Sequence, residues 1–160
     1  AAPMLLSTVR DFAGDLTGKT LLDLYCGTGF FAVAMADDAK KTIGVELVVD
    51  AIRDARINAE LNNVKVDFHD AKTESFDWMA LGADVVILDP PRSGMHDKAL
   101  ADIIAAKPAR IVYVSCNYKN FAREMVELSK YYDVDNIRAV DMFPHTPHVE
   151  LVTALVRKST

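Results

Sequence analysis

Two cysteines, six prolines, seven glycines and one tryptophan stand among 160 residues, and each scarcity rules something out. Cys26 and Cys116 are too few for a disulfide scaffold and lie in different local contexts, so both read as reduced thiols. No apolar run approaches the roughly 20 residues that cross a bilayer. The N-terminal AAPMLLSTVRDF also lacks the basic start and long apolar stretch of a signal peptide. The expectation is a soluble, cytoplasmic protein with no membrane partner. No repeat, low-complexity segment or linker divides the chain. Basic charge is short too: 18 Lys+Arg against 23 Asp+Glu leave a net charge of -5, whereas a free-standing nucleic-acid binder carries a basic surface. Any RNA affinity must then reside in a local patch or in protein outside this chain.

What is present is apolar material for a core, at 51% hydrophobic residues, in amounts that suit one domain over 1–160. Short β-branched runs alternate with longer amphipathic ones, the grammar of an α/β sandwich. The runs at 20–25, 42–45, 64–68, 85–88 and 110–115 are rich in Val, Ile and Leu, as strands buried on both faces should be. Helical spacing occupies 30–36, 48–61, 97–106 and 118–130, and Lys107-Pro108 is a natural stop. After the fifth strand the rhythm changes. Two extended runs, 132–141 and 149–156, are joined by a segment too short for a crossover helix, which predicts an antiparallel pair. A mostly parallel seven-stranded sheet closed by such a pair is, by analogy, the Rossmann-like class I methyltransferase plan.

The segment LLDLYCGTGFFA puts Tyr25, Gly27 and Gly29 at the turn from the first strand into the first helix. Missing side chains there let a ligand approach the backbone and the helix N-terminus. Gly27, Gly29 and Ala32 also satisfy the dinucleotide fingerprint, and Glu46 follows about where a ribose-binding acid belongs, so the motif alone does not separate nicotinamide from S-adenosylmethionine. Two acids favour the latter. Asp23, inside the strand, would repel a pyrophosphate but suits the cationic methionine portion. Asp70, in FHDA, is placed to accept from an adenine amine. Singly, each acid reads equally as a turn cap or a solvated surface group; at three successive strand ends they point to one site.

Cys26, within the glycine loop, reads as a small buried residue. Cys116 ends the run RIVYVS at the edge where ligands of open α/β sheets gather, and it opens the next helix, whose amides favour a thiolate. By position it is either a nucleophile or a packed strand-end thiol.

With DLYCGTG, DPPRSG, VSCN and FPHTPHVE in this order, the chain resembles the RNA 5-methyluridine methyltransferases, which methylate uridines in transfer or ribosomal RNA. The motifs run from about residue 20 to the end. DLYCGTG is shared by many methyltransferases, whereas Asp89-Pro90-Pro91-Arg92, Ser115-Cys116-Asn117 and His148-Val149-Glu150 in combination are specific. The resemblance implies Cys116 as nucleophile, Glu150 as general base, Asp89 as an active-site acid beside cofactor and base, and the glycine loop, Glu46 and Asp70 as the S-adenosylmethionine site. Tyr118 stands where the family usually has proline, and Asn120 where threonine is common; altered helix-start packing is expected, not lost chemistry. The family's RNA-binding β-barrel, central insertion and Phe-Gln segment are not visible. Nor are the N-terminal cysteines that hold an iron–sulfur cluster in some members, and no metal is expected. RNA is the expected partner, bound with help from a domain elsewhere.

Carbon 5 of uracil is a poor nucleophile until a thiolate adds at carbon 6, after which a base must remove the carbon 5 proton. Burial among Phe143, Pro144 and Pro147 would raise the affinity of Glu150 for that proton. Arg92 is placed either to stabilise charge on the enolate oxygen or to pair with Asp89. His145 and His148 read as loop-shaping residues. Three alternatives stay open: an amino-group methyltransferase of nucleic acid or protein, which needs neither Cys116 nor Glu150; a non-catalytic cofactor-fold binding module; and a nicotinamide oxidoreductase.

Overall fold

A computed structural model describes residues 2–142 and 148–159. The β-branched runs form strands and the amphipathic runs form helices, in the order α1 (Ala2–Ala13), β1 (Thr20–Leu24), α2 (Phe30–Met35), β2 (Lys41–Glu46), α3 (Val49–Leu61), β3 (Asp67–Asp70), β4 (Val85–Leu88), α4 (Asp97–Ala106), β5 (Arg110–Ser115), α5 (Tyr118–Leu128), β6 (Tyr132–Asp141) and β7 (Val149–Arg157). The strands make one sheet ordered β3-β2-β1-β4-β5-β7-β6. β1 to β5 run parallel, and β7 pairs antiparallel with both β5 and β6. This is the expected α/β architecture, a Rossmann-like sheet with an antiparallel C-terminal pair.

Alternation along the strands sends residues to two cores. Leu21, Ile87, Val112, Val114, Val152 and Ala154 meet α1 and α2 on one face; Leu22, Leu24, Leu88, Tyr113 and Leu155 meet Ile103 of α4 and Leu128 of α5 on the other. α1 has no counterpart in the expected elements. Its Leu5, Val9 and Phe12 recur at helical spacing and are buried, and burying three such side chains contributes roughly 4.5–9 kcal/mol. Arg110 ties α1 down by donating to the Phe12 carbonyl at 2.5 Å, and the Arg138 guanidinium lies 5.3 Å from the centre of the Phe12 ring.

β3 begins later than 64–68 suggests, because the end of α3 takes up its first residues. Asn63 turns left-handed (φ 55°), its amide donates to Glu60 and that of Val64 to Ala59. This is a Schellman closure, which commits Val64 to the helix end.

Candidate active site

The strand order reverses between β1 and β4, where two neighbouring loops leave the sheet in opposite directions and open a crevice at the carboxyl edge. A cavity of about 600 Å³ lies there. Tyr25 after β1, Glu46 to Val48 at the end of β2, Lys72 to Glu74 after β3, and Asp89, Pro91 and Ser93 to His96 after β4 supply its walls.

The glycine loop begins with strain. Tyr25 has φ 62°, which its side chain makes costly, and this ends β1 one residue before the expected boundary. Its phenol is pushed up to about 12 chiefly by burial, with the Thr73 hydroxyl acting the other way. Gly27 (φ 57°) has open space where a Cβ would stand. Gly29 (φ 87°) is different: a Cβ would meet Ala55 and Phe68 at 3.2 Å and Val33 at 3.3 Å. Its bareness therefore seats α2 against α3 and β3, which corrects the expectation that it clears space for a ligand. Cys26 is buried as expected, and burial pushes its thiol well up. Glu46 is used twice, accepting the Gly27 amide at Oε1 and the Val48 amide at Oε2, both at 2.9 Å. It thereby joins the loop to the end of β2, and its free lone pairs remain available to ribose hydroxyls. Asp70 is the last residue of β3 rather than a residue beyond it. It neighbours Glu46 in register, but is exposed and outside the cavity lining.

Asp23, Asp89 and Glu150 form an acidic row. Asp23 is fully buried. Burial first, then the charge of Asp89, holds it well above the carboxylate range; the Ala32 amide offsets part of this without the geometry of a full hydrogen bond. Asp89, one residue past β4, is raised to about 7 by burial and by the charge of Glu150. Glu150 is raised by burial, and its Oε2 has no hydrogen-bond partner among the described residues. A bound cation would relieve all three, so the acids suit a sulfonium better than a pyrophosphate.

Cys116 and Glu150 lie at the β5–β7 end of this edge. Ser115 pairs with Leu151, and Cys116 and Glu150 are their chain neighbours. The pleat turns Glu150 toward the face that carries Val152, while Cys116 sits in a bend just beyond β5. Cys116 is exposed. Three amides of the turn that follows it are already committed, that of Asn117 to the Ser115 hydroxyl and those of Lys119 and Asn120 to the Asn117 side chain. They are not free to face an anion, which corrects the simple helix-start reading. Asn117 and Asn120 also donate their side-chain amides to the Arg92 carbonyl, at 3.2 and 2.5 Å. Arg92 is exposed, and among the described residues it forms no ion pair with Asp89. Phe143, Pro144, His145 and Pro147 lie outside the described residues, and the His148 carbonyl accepts the Met142 amide at 3.2 Å. Among the described residues no His, Cys, Asp and Glu group could hold a metal, and no helix is long and apolar enough to cross a membrane.

The sequence reading passed over Glu124, which is 1% exposed in α5 and accepts the Tyr113 hydroxyl and the Met95 amide. The signal was available: Glu124 falls between Phe121 and Leu128 on the helix's apolar face, where a charge needs a partner.

The family model described as tRNA (uracil-5-)-methyltransferase matches residues 68–158, and that described as methyltransferase small domain matches residues 1–112. An uncharacterized RNA methyltransferase of Caldanaerobacter subterraneus subsp. tengcongensis is 47% identical and one of Clostridium tetani 44%, each over 99% of this chain. The chain spans 36% of the length of either relative. Among solved structures, the Pyrococcus abyssi tRNA (uracil-54, C5)-methyltransferase in complex with S-adenosyl-L-homocysteine superposes with a TM-score of 0.84 at 42% identity, over 94% of this chain and 37% of that one. The N-methyltransferase NodS of Bradyrhizobium japonicum reaches 0.82 at 11% identity over 98% of this chain and 87% of its own, a likeness of fold alone. The chain belongs to the tRNA (uracil-5-)-methyltransferase family.

Proposed function

We propose that residues 1–160 form the catalytic domain of an S-adenosylmethionine-dependent methyltransferase acting on carbon 5 of a uridine in transfer or ribosomal RNA. The observation that supports this reading is the β5–β7 pairing of Ser115 with Leu151, which brings their chain neighbours Cys116 and Glu150 to the edge where Asp89 lines the cofactor-sized cavity and has its pKa raised by burial and by the charge of Glu150.

S-adenosylmethionine, when bound, supplies an electrophilic methyl group. Tyr25, Glu46 and Asp89 hold its site, with Asp23 behind the loop and Asp70 at the rim. The Cys116 thiolate adds to carbon 6 of the uracil, forming the Sγ–C6 bond and moving electron density to carbon 5, which would take the methyl group as its bond to the cofactor's sulfur breaks and S-adenosylhomocysteine leaves. Arg92, exposed on the loop after β4, would be the group to meet charge on the enolate oxygen. Glu150 accepts the proton from carbon 5, the Sγ–C6 bond breaks and the ring double bond returns. Burial raises the affinity of Glu150 for a proton, which suits a base working near neutrality. RNA contacts come largely from protein beyond this acidic chain.

The two roles separate by step. Cys116→Ala should give neither product nor covalent RNA complex. Glu150→Gln should transfer the methyl group and then stall, accumulating a labelled protein–RNA adduct on a denaturing gel. Substantial turnover by the Cys116 variant would sink the carbon 5 reading and leave an amino-group methyltransferase.

A further inference from the structure

Glu124 is a carboxylate in an apolar place. It is 1% exposed, and its hydrogen-bond donors are neutral: the Tyr113 hydroxyl at 2.5 Å and the Met95 amide at 3.3 to 3.4 Å. A buried charge held by neutral groups costs more than an apolar side chain of similar volume. The carboxylate adds a fixed acceptor for one backbone amide. That amide belongs to the cavity wall, since Pro91 and Ser93 to His96 line the space beside Asp89.

The same stretch is gripped at its other end by Asn117 and Asn120, which hold the Arg92 carbonyl. Between the two grips Gly94 (φ 85°) lies so close to α5 that a Cβ would stand 3.0 Å from Arg123 and 3.1 Å from Asn120. Cys116 immediately precedes Asn117, the cap of α5. The wall that meets the cofactor and the turn that carries the thiol are thus one unit. The Glu124 contact to Met95 is long, at 3.3 to 3.4 Å, but unlike the two asparagine ties it is buried away from water, so its loss would leave the Met95 amide buried and unpaired.

We propose that Glu124 is a positioning residue that sets Cys116 against the cofactor cavity by holding the Met95 amide. This rests on the uridine carbon 5 reading above. Its loss should slow thiol addition more than it weakens cofactor binding, since Tyr25, Glu46 and Asp89 on the other walls are not held by Met95.

RNA containing 5-fluorouridine traps the reaction, because carbon 5 then bears no proton for Glu150 to take and the Cys116 adduct persists. Single-turnover trapping would be measured for the wild-type chain, Glu124→Leu and Glu124→Gln, with the half-saturating S-adenosylmethionine concentration and a urea midpoint for each. Glu124→Leu should trap roughly 10- to 100-fold more slowly, the scale expected for a reacting atom displaced by about 1 Å, with half-saturation changed less than about threefold. Glu124→Gln keeps an acceptor oxygen for Met95 and should recover most of the rate. If the leucine variant does not fold, Glu124→Asp takes its place, its carboxylate one methylene too short to reach both donors. Wild-type trapping rates in Glu124→Leu, or an equal loss in Glu124→Gln, would overturn the inference. A wild-type chain whose Cys116 is alkylated by iodoacetamide but which traps no RNA, even at RNA concentrations that saturate binding in a filter assay, would overturn the carbon 5 reading itself, and the inference with it.

Discussion

Asp89→Asn should stabilise the protein, and by an amount that depends on pH. Asp89 titrates near 7 in the folded chain, against an ordinary 3.8, because it is buried and faces Glu150. At about 1.4 kcal/mol per pH unit, ionising it in the fold costs on the order of 4 kcal/mol. Between those two values the folded chain holds a proton that the unfolded chain has lost. The contribution of Asp89 to stability is therefore full below about pH 4 and falls as pH rises to about 7. About 1.5 kcal/mol is already gone at pH 5, so the advantage of the asparagine variant should widen by roughly 2–3 kcal/mol between pH 5 and pH 8. Trp78 is the single tryptophan and is buried, so its fluorescence reports urea unfolding. The separation of midpoints should grow by about 1 M over that range. The measurement is made without cofactor, since a bound cation would relieve the same charge. A separation that stays constant with pH would refute the reasoning, and Glu150→Gln in the same series should shrink it by removing the neighbouring charge.

Calorimetry should show S-adenosylmethionine binding more tightly as pH rises from 6 to 8, by up to about tenfold as Asp89 ionises, while the uncharged thioether of S-adenosylhomocysteine shows little trend; equal slopes would remove Asp89 from the sulfonium site. Gly29→Val should lose cofactor binding together with several kcal/mol of stability, roughly 2–4, because its Cβ strikes α3 and Phe68, whereas Gly27→Ala, strained only by its φ of 57°, should cost about 1–2 kcal/mol. Urea curves of the two variants decide between steric packing and ligand clearance, and similar stability in both would refute the packing account.

The strand ends were legible because they follow simple patterns. Asp23, Glu46, Asp89 and Cys116 each stand at the carboxyl end of an apolar run, and the structure brings all four to one edge of the sheet. Helix α1 was legible too, in the spacing of Leu5, Val9 and Phe12, which is that of a buried helix face. Other features depend on partners remote in sequence. The left-handed turn at Asn63 delays β3 through bonds back to α3. Gly29 is required by Ala55 and Phe68, residues that no local pattern connects to it. The commitment of the α5 amides to Ser115 and Asn117 likewise appears only once side-chain directions are known. Glu124 shows the intermediate case, visible as a misplaced charge but without a role until Met95 is seen beside it.

The β5–β7 register also governs what an error of folding would produce. Side chains alternate along β7, so a slip of one residue against β5 would carry the Glu150 carboxylate to the opposite face. The same slip would pull Val152 and Ala154 out of the core beneath α1 and drive Leu151 and Thr153 into it. A chain with a misplaced Glu150 is therefore also a chain with a broken core. A packed interior and the placement of Glu150 depend on one variable, so a stably folded yet misaligned form has no place to accumulate.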